Sequence, residues 1–300
     1  MYAFCLYLVL LFAYKENVVH FLFNNACVRL LRFAKQKMLM VSRFRYLKGF
    51  LVDVLMNLIF IVIFVMKNNT ERKMRIEENY SLEKHNTFHL PVKTRWFMEY
   101  ASEEELGRIL RDEYFQECLS LHIGGGSNLL FINDFNGIIL HSQIKGIFVA
   151  EETDDSVLLR IGAAEKWDDV VAYAVSKGWG GIENLSLIPG EAGAAAIQNI
   201  GAYGAEIKDV IEAVEAYNQL SFEKRTFTNE ECLYGYRSSY FKNEHNDPYI
   251  VTYIYIRLSK KPQFSVGYGN LKEELAKYPE VTLQAVRDAV ISIRRQKLPD

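Results

Sequence analysis

From residue 74 onward, the pattern of apolar and polar positions alternates between stretches typical of strands and stretches typical of helices. Residues 103–111 and 167–177 carry apolar residues at helical spacing, with Ser102 as a predicted N-cap and Gly178 as a predicted C-terminal glycine. Residues 283–295 form a third amphipathic stretch. Short apolar runs predict strands at 118–123, 129–132, 137–140, 146–150, 157–162, 210–217 and 249–258. Because these elements do not form a regular βαβ series, we predict a mixed α+β fold.

The first 73 residues have a different character from the rest of the chain. They carry 11 Lys and Arg against 3 Asp and Glu, a balance of +8, whereas the remainder has a balance of −10. Residues 1–14 and 51–66 are strongly apolar and residues 29–48 are basic, but the run at 54–66 is shorter than the ~17–25 residues of a spanning helix. A membrane anchor with a basic loop and a packed helical extension are two interpretations.

A third interpretation, which we favour, is that residues 1–73 are not part of the native protein and that Met74 is its natural start. We expect the protein to contact a membrane only if residues 1–73 do belong to the native chain. N-terminal sequencing of the native protein tests this expectation, and a mature chain that begins at residue 1 would contradict it.

Charge and cysteine usage exclude several classes of function. The acidic main body, without aromatic residues interleaved among Lys and Arg, argues against nucleic acid as a partner. Cys5, Cys27, Cys118 and Cys232 are scattered singly, with no spacing typical of a metal site. Unpaired cysteines fit a reducing compartment, so we expect a cytoplasmic protein without a bound metal.

A glycine-rich turn at 124–126 is the first candidate for binding an anion. Gly124, Gly125 and Gly126 are followed by Ser127 and Asn128 and lie between two predicted strands. A dinucleotide fold of the Rossmann type would place its glycines between a strand and a helix, so this is not that fingerprint. Successive N–H groups at such a turn can instead converge on a phosphate, although an ordinary glycine-rich hairpin is the alternative.

A second small-residue segment at 188–204 is the strongest signal in the sequence. Four glycines and five alanines cannot fill a core, but they allow the backbone to lie flat against a large partner. Together the two segments suit an extended dinucleotide such as FAD. The predicted cofactor-binding residues are Gly124, Gly125, Gly126, Ser127, Asn128, Gly190, Gly193, Gln198, Asn199, Gly201, Tyr203 and Gly204. For Gln198 and Tyr203, a role as satisfied polar groups of the core is the alternative.

Six motifs in order give this chain a resemblance to a known family. They begin at His85 (His-Asn-Thr-Phe), at Gly124 (Gly-Gly-Gly-Ser-Asn-Leu-Leu) and at 188, and continue at Tyr234 (Tyr-Gly-Tyr-Arg-Ser-Ser), Tyr268 (Tyr-Gly-Asn-Leu) and Lys297 (Lys-Leu-Pro-Asp). In this the chain resembles the UDP-N-acetylenolpyruvoylglucosamine reductases, and Tyr268 with its following glycine resembles their Tyr-loop subtype.

The resemblance implies a fold and a domain organisation. It implies a two-part FAD-binding module of the vanillyl-alcohol-oxidase (PCMH) type at 74–261, with a core at 91–261. Residues 262–300 would then form the Tyr-loop and the start of a truncated α/β substrate domain.

The resemblance also implies a reaction and its residues. NADPH would reduce bound FAD, and the flavin would reduce UDP-N-acetylglucosamine enolpyruvate to UDP-N-acetylmuramate for peptidoglycan synthesis, in a protein that acts as a monomer. Arg237 matches a catalytic position of the family, and a fixed guanidinium can stabilise enolate charge, although a structural ion pair is the alternative. Tyr268 and Lys297 match positions that bind substrate, where solvated surface side chains are the alternative.

The family pattern extends beyond the Lys-Leu-Pro-Asp motif at 297–300. There the family has a Gly-Asn-Ala-Gly-Ser-Phe-Phe-Lys-Asn-Pro segment, whose Ser protonates the carbanion, and a later Glu; neither can be matched here. We therefore expect a C-terminally incomplete member of the family. The alternatives are a flavin-binding fragment without useful turnover and another flavin oxidase of the same cofactor fold.

Overall fold

The computed structural model describes residues 74–243 and 248–297. The predictions made for residues 1–73 therefore lie outside the described residues, as does the Leu-Pro-Asp part of the last motif. Among the residues that are described, no helix is both long enough and apolar enough to cross a bilayer.

A four-stranded sheet forms the first part of the described fold. Its order is β1-β2-β4-β3, with β1 antiparallel to β2 and with β4 parallel to both of its neighbours. The strands are β1 (Arg75–Ser81), β2 (Lys93–Tyr100), β3 (Ser120–Ile123) and β4 (Phe135–Ser142), and helices α1 (Glu103–Leu110) and α2 (Glu113–Glu117) connect β2 to β3. The apolar side of α1 is buried with residues of β2 and β4, among them Leu106, Tyr100 and Leu140.

A five-stranded antiparallel sheet forms the second part. Its order is β10-β9-β11-β6-β5. The strands are β5 (Ile147–Glu152), β6 (Ser156–Gly162), β9 (Ile211–Asn218), β10 (Lys224–Thr228) and β11 (Tyr249–Ser259). Helix α3 (Trp167–Ser176) packs on this sheet, and its first residue, Trp167, is fully buried and donates a hydrogen bond from Nε1 to the Leu185 carbonyl.

The chain between α3 and β9 contains short elements that shape the site. They are helix α4 (Ala192–Ile197) and the small hairpin of β7 (Gly201–Ala202) and β8 (Ala205–Glu206). Helices α5 (Leu271–Leu275) and α6 (Leu283–Lys297) follow β11 and share a cluster of apolar side chains. Single 3₁₀ turns lie at Glu83–His85, Glu183–Leu185, Ile207–Asp209 and Tyr240–Lys242.

Most predicted elements are present within two or three residues of their predicted bounds, and the mixed α+β class is confirmed. Ser102 caps α1 as predicted, because its hydroxyl accepts a hydrogen bond from the Glu105 N–H at 3.2 Å. Gly178 follows the last turn of α3 with φ +76°, as a C-terminal glycine does. The strand predicted at 129–132 is wrong, because this segment is irregular and exposes Leu130 and Ile132.

Helix α6 is tied to the start of α3 by an ion pair. Arg287 donates to both carboxylate oxygens of Asp168, at 2.6 and 2.9 Å, and the Arg287 side chain is only 11% exposed. Asp168 also accepts the Leu187 N–H at 2.6 Å, and Leu187 has φ +57°. Asp168 and Asp169 both lie in the first turn of α3, and Asp168 joins three segments of the chain.

Replacing Asp168 with asparagine is expected to lower the free energy of unfolding by about 2–3 kcal/mol, because the guanidinium of Arg287 is left buried with a weaker partner. Asp169→Asn is the matched control, since Asp169 is exposed in the same helical turn, and it should change stability by less than about 0.5 kcal/mol. Urea denaturation of both variants measures the difference, and equal effects would contradict the assigned role of Asp168.

Burial raises the pKa of Asp168, but the hydrogen bonds from Arg287 and Leu187 outweigh it and leave the pKa below its ordinary 3.8. The stabilisation is therefore present above the unfolded-state pKa and disappears as the pH falls through the folded-state pKa.

Candidate functional site

The glycine turn after β3 makes an unusually close contact with another part of the backbone. Gly126 has φ +70°, and a Cβ atom at this position would lie 1.9 Å from the His85 carbonyl oxygen. Such a distance is far below any non-bonded contact, so only glycine fits at 126. The turn leads into the irregular segment at 127–134 and not into the strand predicted at 129–132, so the alternative of an ordinary hairpin is wrong.

The motif at 85–88 provides the surface against which this turn packs. Asn86 is 3% exposed, and its side chain donates to the carbonyls of Leu82 and Leu90 and accepts the Leu90 N–H, at 2.8, 3.1 and 3.0 Å. These hydrogen bonds fix the backbone at 82–90. Asn86 therefore determines where the His85 carbonyl meets Gly126.

The small-residue segment at 188–204 is not a continuous loop. Residues 192–197 form helix α4, whose alanines Ala192, Ala195 and Ala196 are buried. A Cβ atom on Gly193 would lie 2.8 Å from the Cβ of Ala163, at the end of β6. The small residues therefore let the helix pack closely on the sheet, and only part of the segment is left to face a ligand.

The two segments meet at a single cavity of about 180 Å³. Its lining includes Gly124, Gly125, Gly126, Ser127, Asn128, Gly190, Gly193 and Gln198 from the predicted cofactor-binding residues, together with Glu191 and His122. Gly190 has φ +114°, and a Cβ atom at this position would lie 3.4 Å from the Ser127 hydroxyl oxygen, so the two segments approach each other closely here.

This cavity fits part of an extended dinucleotide. Its volume is below the ~300–1,000 Å³ of a typical ligand site, so it would enclose only one portion of such a molecule. A Cβ atom at Gly126 would collide with the His85 backbone, and one at Gly124 would lie 3.0 Å from the Glu191 carboxylate, so the walls approach closely at both glycines. Backbone N–H groups and the Ser127 and Asn128 side chains suit a pyrophosphate.

Arg237 lies in a separate tight turn. The backbone N–H groups of Gly235 and Ser238 donate to each other's carbonyl oxygens, and Arg237 between them has φ +53°. The Arg237 side chain is exposed and donates from Nη2 to the Gly201 carbonyl at 2.7 Å. Ser239 donates to the Ile197 carbonyl at 2.7 Å, so this turn is anchored to the end of α4.

Asn199 supports the Arg237 turn from beneath. It has no exposed surface and φ +43°. Its Nδ2 donates to the Gly235 carbonyl at 2.8 Å, and its Oδ1 accepts the Lys208 N–H at 3.2 Å. Asn199 is therefore a buried residue that holds the turn carrying Arg237, and its predicted contact with the cofactor stays a prediction.

Tyr203, Gly204 and Tyr268 meet at a second point. Gly204 has φ +81°, and a Cβ there would lie 3.4 Å from the Cβ of Tyr268, whose side chain is 61% exposed. Asn184 joins the two segments, since its Nδ2 donates to the carbonyls of Tyr203 and Ser265 at 2.9 and 2.8 Å. The described residues that line the cavity do not include Tyr203, Gly204 or Tyr268.

Lys297 is exposed in the last turn of α6. Like Arg237, it is not among the described residues that line the cavity. The structure thus brings the predicted phosphate-binding residues together at the cavity. It places Arg237 on a turn anchored to α4, which also lines the cavity. The two predicted substrate-binding residues, Tyr268 and Lys297, lie outside the cavity lining.

Sequence reasoning missed a group of titratable residues beside the cavity. His141 on β4 is 7% exposed, with Nδ1 at 2.9 Å from Glu99 and Nε2 at 3.6 Å from Glu191. Burial lowers the pKa of His141, but its contacts with Glu191 and Glu99 outweigh this and leave the pKa above 6.5. Positions 99, 141 and 191 are far apart in the sequence, so no motif connects them. The only local signal was the charged residue Glu191 within a run of small residues.

Two neighbouring histidines, His122 and His85, behave differently from His141. The ring of His122 contacts the Tyr100 hydroxyl at 2.7 Å, and burial lowers the pKa of His122 to about 4. Burial and the neighbouring His141 also lower the pKa of His85, whose ring contacts the Tyr80 hydroxyl at 3.1 Å. Both rings are therefore neutral at physiological pH and pack as structural groups.

Comparisons with known proteins agree with this geometry. Residues 95–219 match the family described as the FAD binding domain. The chain is 50% identical over 225 residues to UDP-N-acetylenolpyruvoylglucosamine reductase of Bacteroides fragilis, covering 75% of this chain and 67% of that protein. It is 48% identical over 228 residues to the enzyme of the same name from Porphyromonas gingivalis, covering 76% and 68%.

A solved structure shows the same fold. UDP-N-acetylenolpyruvylglucosamine reductase from Thermus caldophilus superposes with a TM-score of 0.57 at 23% identity, covering 76% of this chain and 71% of that one. The fold and the sequence identity over two thirds of these relatives lead to one assignment. The chain belongs to the UDP-N-acetylenolpyruvoylglucosamine reductase family.

Proposed function

We propose that this protein reduces UDP-N-acetylglucosamine enolpyruvate to UDP-N-acetylmuramate in peptidoglycan synthesis, with NADPH as reductant and FAD as cofactor. The observation that carries this proposal is the cavity at which the two glycine segments meet. Most of its lining residues fall within the match to the FAD binding domain. The named relatives supply the substrate class.

The residues around the cavity are suited to hold FAD. The chemistry that FAD supplies when bound is transfer of a hydride from NADPH to the enolpyruvyl double bond. Backbone N–H groups at 124–126, with the side chains of Ser127 and Asn128, would bind the pyrophosphate, and Gly190, Gly193 and Gln198 would line the approach. Gly201, Tyr203 and Gly204 would lie towards the reacting end, next to the Arg237 turn.

Arg237 is the proposed catalytic residue. Hydride addition to an enolpyruvyl ether builds enolate charge on the carboxylate side of the substrate, and a fixed guanidinium stabilises that charge. The hydrogen bond to the Gly201 carbonyl and the support from Asn199 and Ser239 fix the turn before substrate arrives. The exposed side chain remains accessible to substrate.

Tyr268 and Lys297 are proposed to bind the UDP part of the substrate. Tyr268 is exposed over Gly204, and Lys297 is an exposed cation at the end of α6. An ammonium group is a suitable point charge for a diphosphate. We propose residues 74–261 as the cofactor module, with its core at 91–261, and residues 262–300 as the Tyr-loop and the start of a substrate domain.

We also propose that the protein acts as a monomer. We propose the cytoplasm as its compartment, because nucleotide sugars are an intracellular class of metabolite. Gel filtration with light scattering of the flavin-loaded protein measures the mass. A dimeric mass would contradict the first part of this proposal.

The test of the function is direct. The chain is expressed and purified, its flavin is released and identified, and NADPH oxidation is measured with and without the enolpyruvyl sugar. We expect bound FAD and oxidation that depends on the sugar.

Two other results would favour the alternatives. Bound FAD with oxidation that ignores the sugar would favour a flavin-binding fragment without turnover, or a flavin oxidase of another substrate. Absence of flavin binding at any concentration would contradict the proposed function as a whole.

A further inference from the structure

The side chain of His141 lies between two carboxylates that come from distant parts of the chain. Glu99 on β2 is 2.9 Å from Nδ1, and Glu191, just before α4, is 3.6 Å from Nε2. All three side chains are at most 15% exposed. A protonated imidazole here would direct one N–H group at each of the two carboxylates.

The surroundings of His141 leave one charge unbalanced. Arg75 donates to Glu99 at 3.0 Å and also pairs with Glu77, so these two carboxylates share the guanidinium, whereas the ion pairs of the described residues give Glu191 only His141 as a partner. The uncharged amide of Gln143 lies 3.0 Å from Nδ1 of His141, and the other titratable neighbours are His85, at a ring-centroid distance of 5.0 Å, and His122, both neutral because their pKa values are lowered. Neutral His141 leaves the charge of Glu191 without a cationic partner among the described ion pairs, and protonated His141 supplies one.

Glu191 places that charge at the wall of the cavity. Its Oε2 lies 3.0 Å from the position of a Cβ on Gly124, and its Oε1 lies 3.9 Å from the position of one on Gly125. Glu191 lines the cavity, whereas no Lys or Arg does so among the described residues. A pyrophosphate at the glycine turn would therefore meet an ionised carboxylate without a nearby cation, which opposes binding.

We propose that Glu191 and His141 are a further part of the cofactor site, in which protonated His141 neutralises Glu191 so that the glycine turn accepts the pyrophosphate. Binding of the dinucleotide then takes up a proton. Affinity for the dinucleotide is greatest below the pH at which His141 is half protonated in the free protein. This proposal rests on the proposed FAD site and adds to it a pair of residues and a charge state.

The sign of the pH dependence follows from this linkage. The bound anion favours the protonated pair, so the midpoint of His141 is higher in the complex than in the free protein. Affinity is greatest below the free-protein midpoint, falls as the pH rises, and levels above the midpoint of the complex. One proton allows a fall of at most about tenfold per pH unit.

The experiment uses the purified chain freed of flavin. FAD is titrated into it between about pH 5.5 and 8.5, a range that covers the titration of histidine, and binding is followed by flavin fluorescence. Calorimetry in buffers of different ionisation heat counts the protons taken up. We expect a dissociation constant that rises with pH, and up to one proton taken up per FAD.

Glu191→Gln removes the charge and keeps the shape. We expect its FAD affinity to be nearly independent of pH and to exceed that of the unmodified protein at the alkaline end. His89→Asn is the matched control, since His89 is an exposed histidine with φ +51°, which asparagine tolerates, and it should keep the original pH profile.

A measurement on the unmodified protein keeps the proposal testable if a variant does not fold. NMR titration of the His141 ring with and without FAD should show a higher midpoint in the complex. FAD binding that is equally tight across the pH range, without proton uptake, would overturn this proposal and leave the proposed function intact. Failure to bind FAD at every pH would overturn both.

Discussion

Arg237→Ala is expected to slow reduction of the enolpyruvyl sugar by about 10²–10³-fold, while reduction of bound FAD by NADPH stays nearly unchanged. The reason is that the guanidinium stabilises charge that develops only when hydride reaches the substrate. In the structure the side chain is exposed and contacts the Gly201 carbonyl, so it is available to substrate and not buried in an ion pair.

Stopped-flow absorbance of the flavin separates the two half-reactions. Arg237→Lys should recover only part of the rate, because an ammonium group keeps the charge but loses the planar pair of donors. Arg108→Ala is the matched control. The Arg108 side chain is 71% exposed on α1, and its ion pair with Glu105 is long, at 4.0 Å. A similar loss in both half-reactions would show that Arg237 supports the fold or the cofactor instead.

Gly126→Ala is expected to abolish measurable FAD binding and to lower the free energy of unfolding by about 2–4 kcal/mol. Two penalties combine at this position. An L-residue at φ +70° is strained, and its Cβ would lie 1.9 Å from the His85 carbonyl oxygen. Since the obstacle is backbone, held by the hydrogen bonds of Asn86, the turn itself must move.

Gly178→Ala separates these two penalties. Gly178 has φ +76°, but a Cβ there would meet nothing within 4 Å. This variant should lose only about 1 kcal/mol and keep full FAD affinity. Thermal unfolding and flavin fluorescence of the two variants measure the comparison, and a Gly126→Ala protein that binds FAD normally would show that the close contact at 126 is not needed for the site.

Local patterns predicted much of the fold because they reflect local physics. The N-cap at Ser102, the glycine after α3 and the alternation along β11 each depend on neighbours within a few residues. The resemblance of the six motifs to those of the reductase family added the cofactor and the substrate class, and the comparisons confirmed the family. The glycine turn at 124–126 was found for the same local reason, since few residue types tolerate its backbone.

The failed strand at 129–132 shows where local reasoning ends. An apolar run becomes a strand only if it pairs with a neighbouring strand, and residues 129–132 pair with none of the described strands although β3 lies at an edge of its sheet. The helix inside 188–204 was missed for a related reason. The helix packs closely beside the end of β6, where Gly193 meets Ala163, a residue distant in the sequence.

The sequence by itself determined most of the elements, the glycine positions and the family, because these depend on short stretches of chain. Only the tertiary structure decided that Glu99, His141 and Glu191 form one buried group beside the cavity. It also decided that Asn199 supports the Arg237 turn from beneath. The physical reason is that charge balance and close packing depend on distances in space, and folding brings together residues that no local pattern connects.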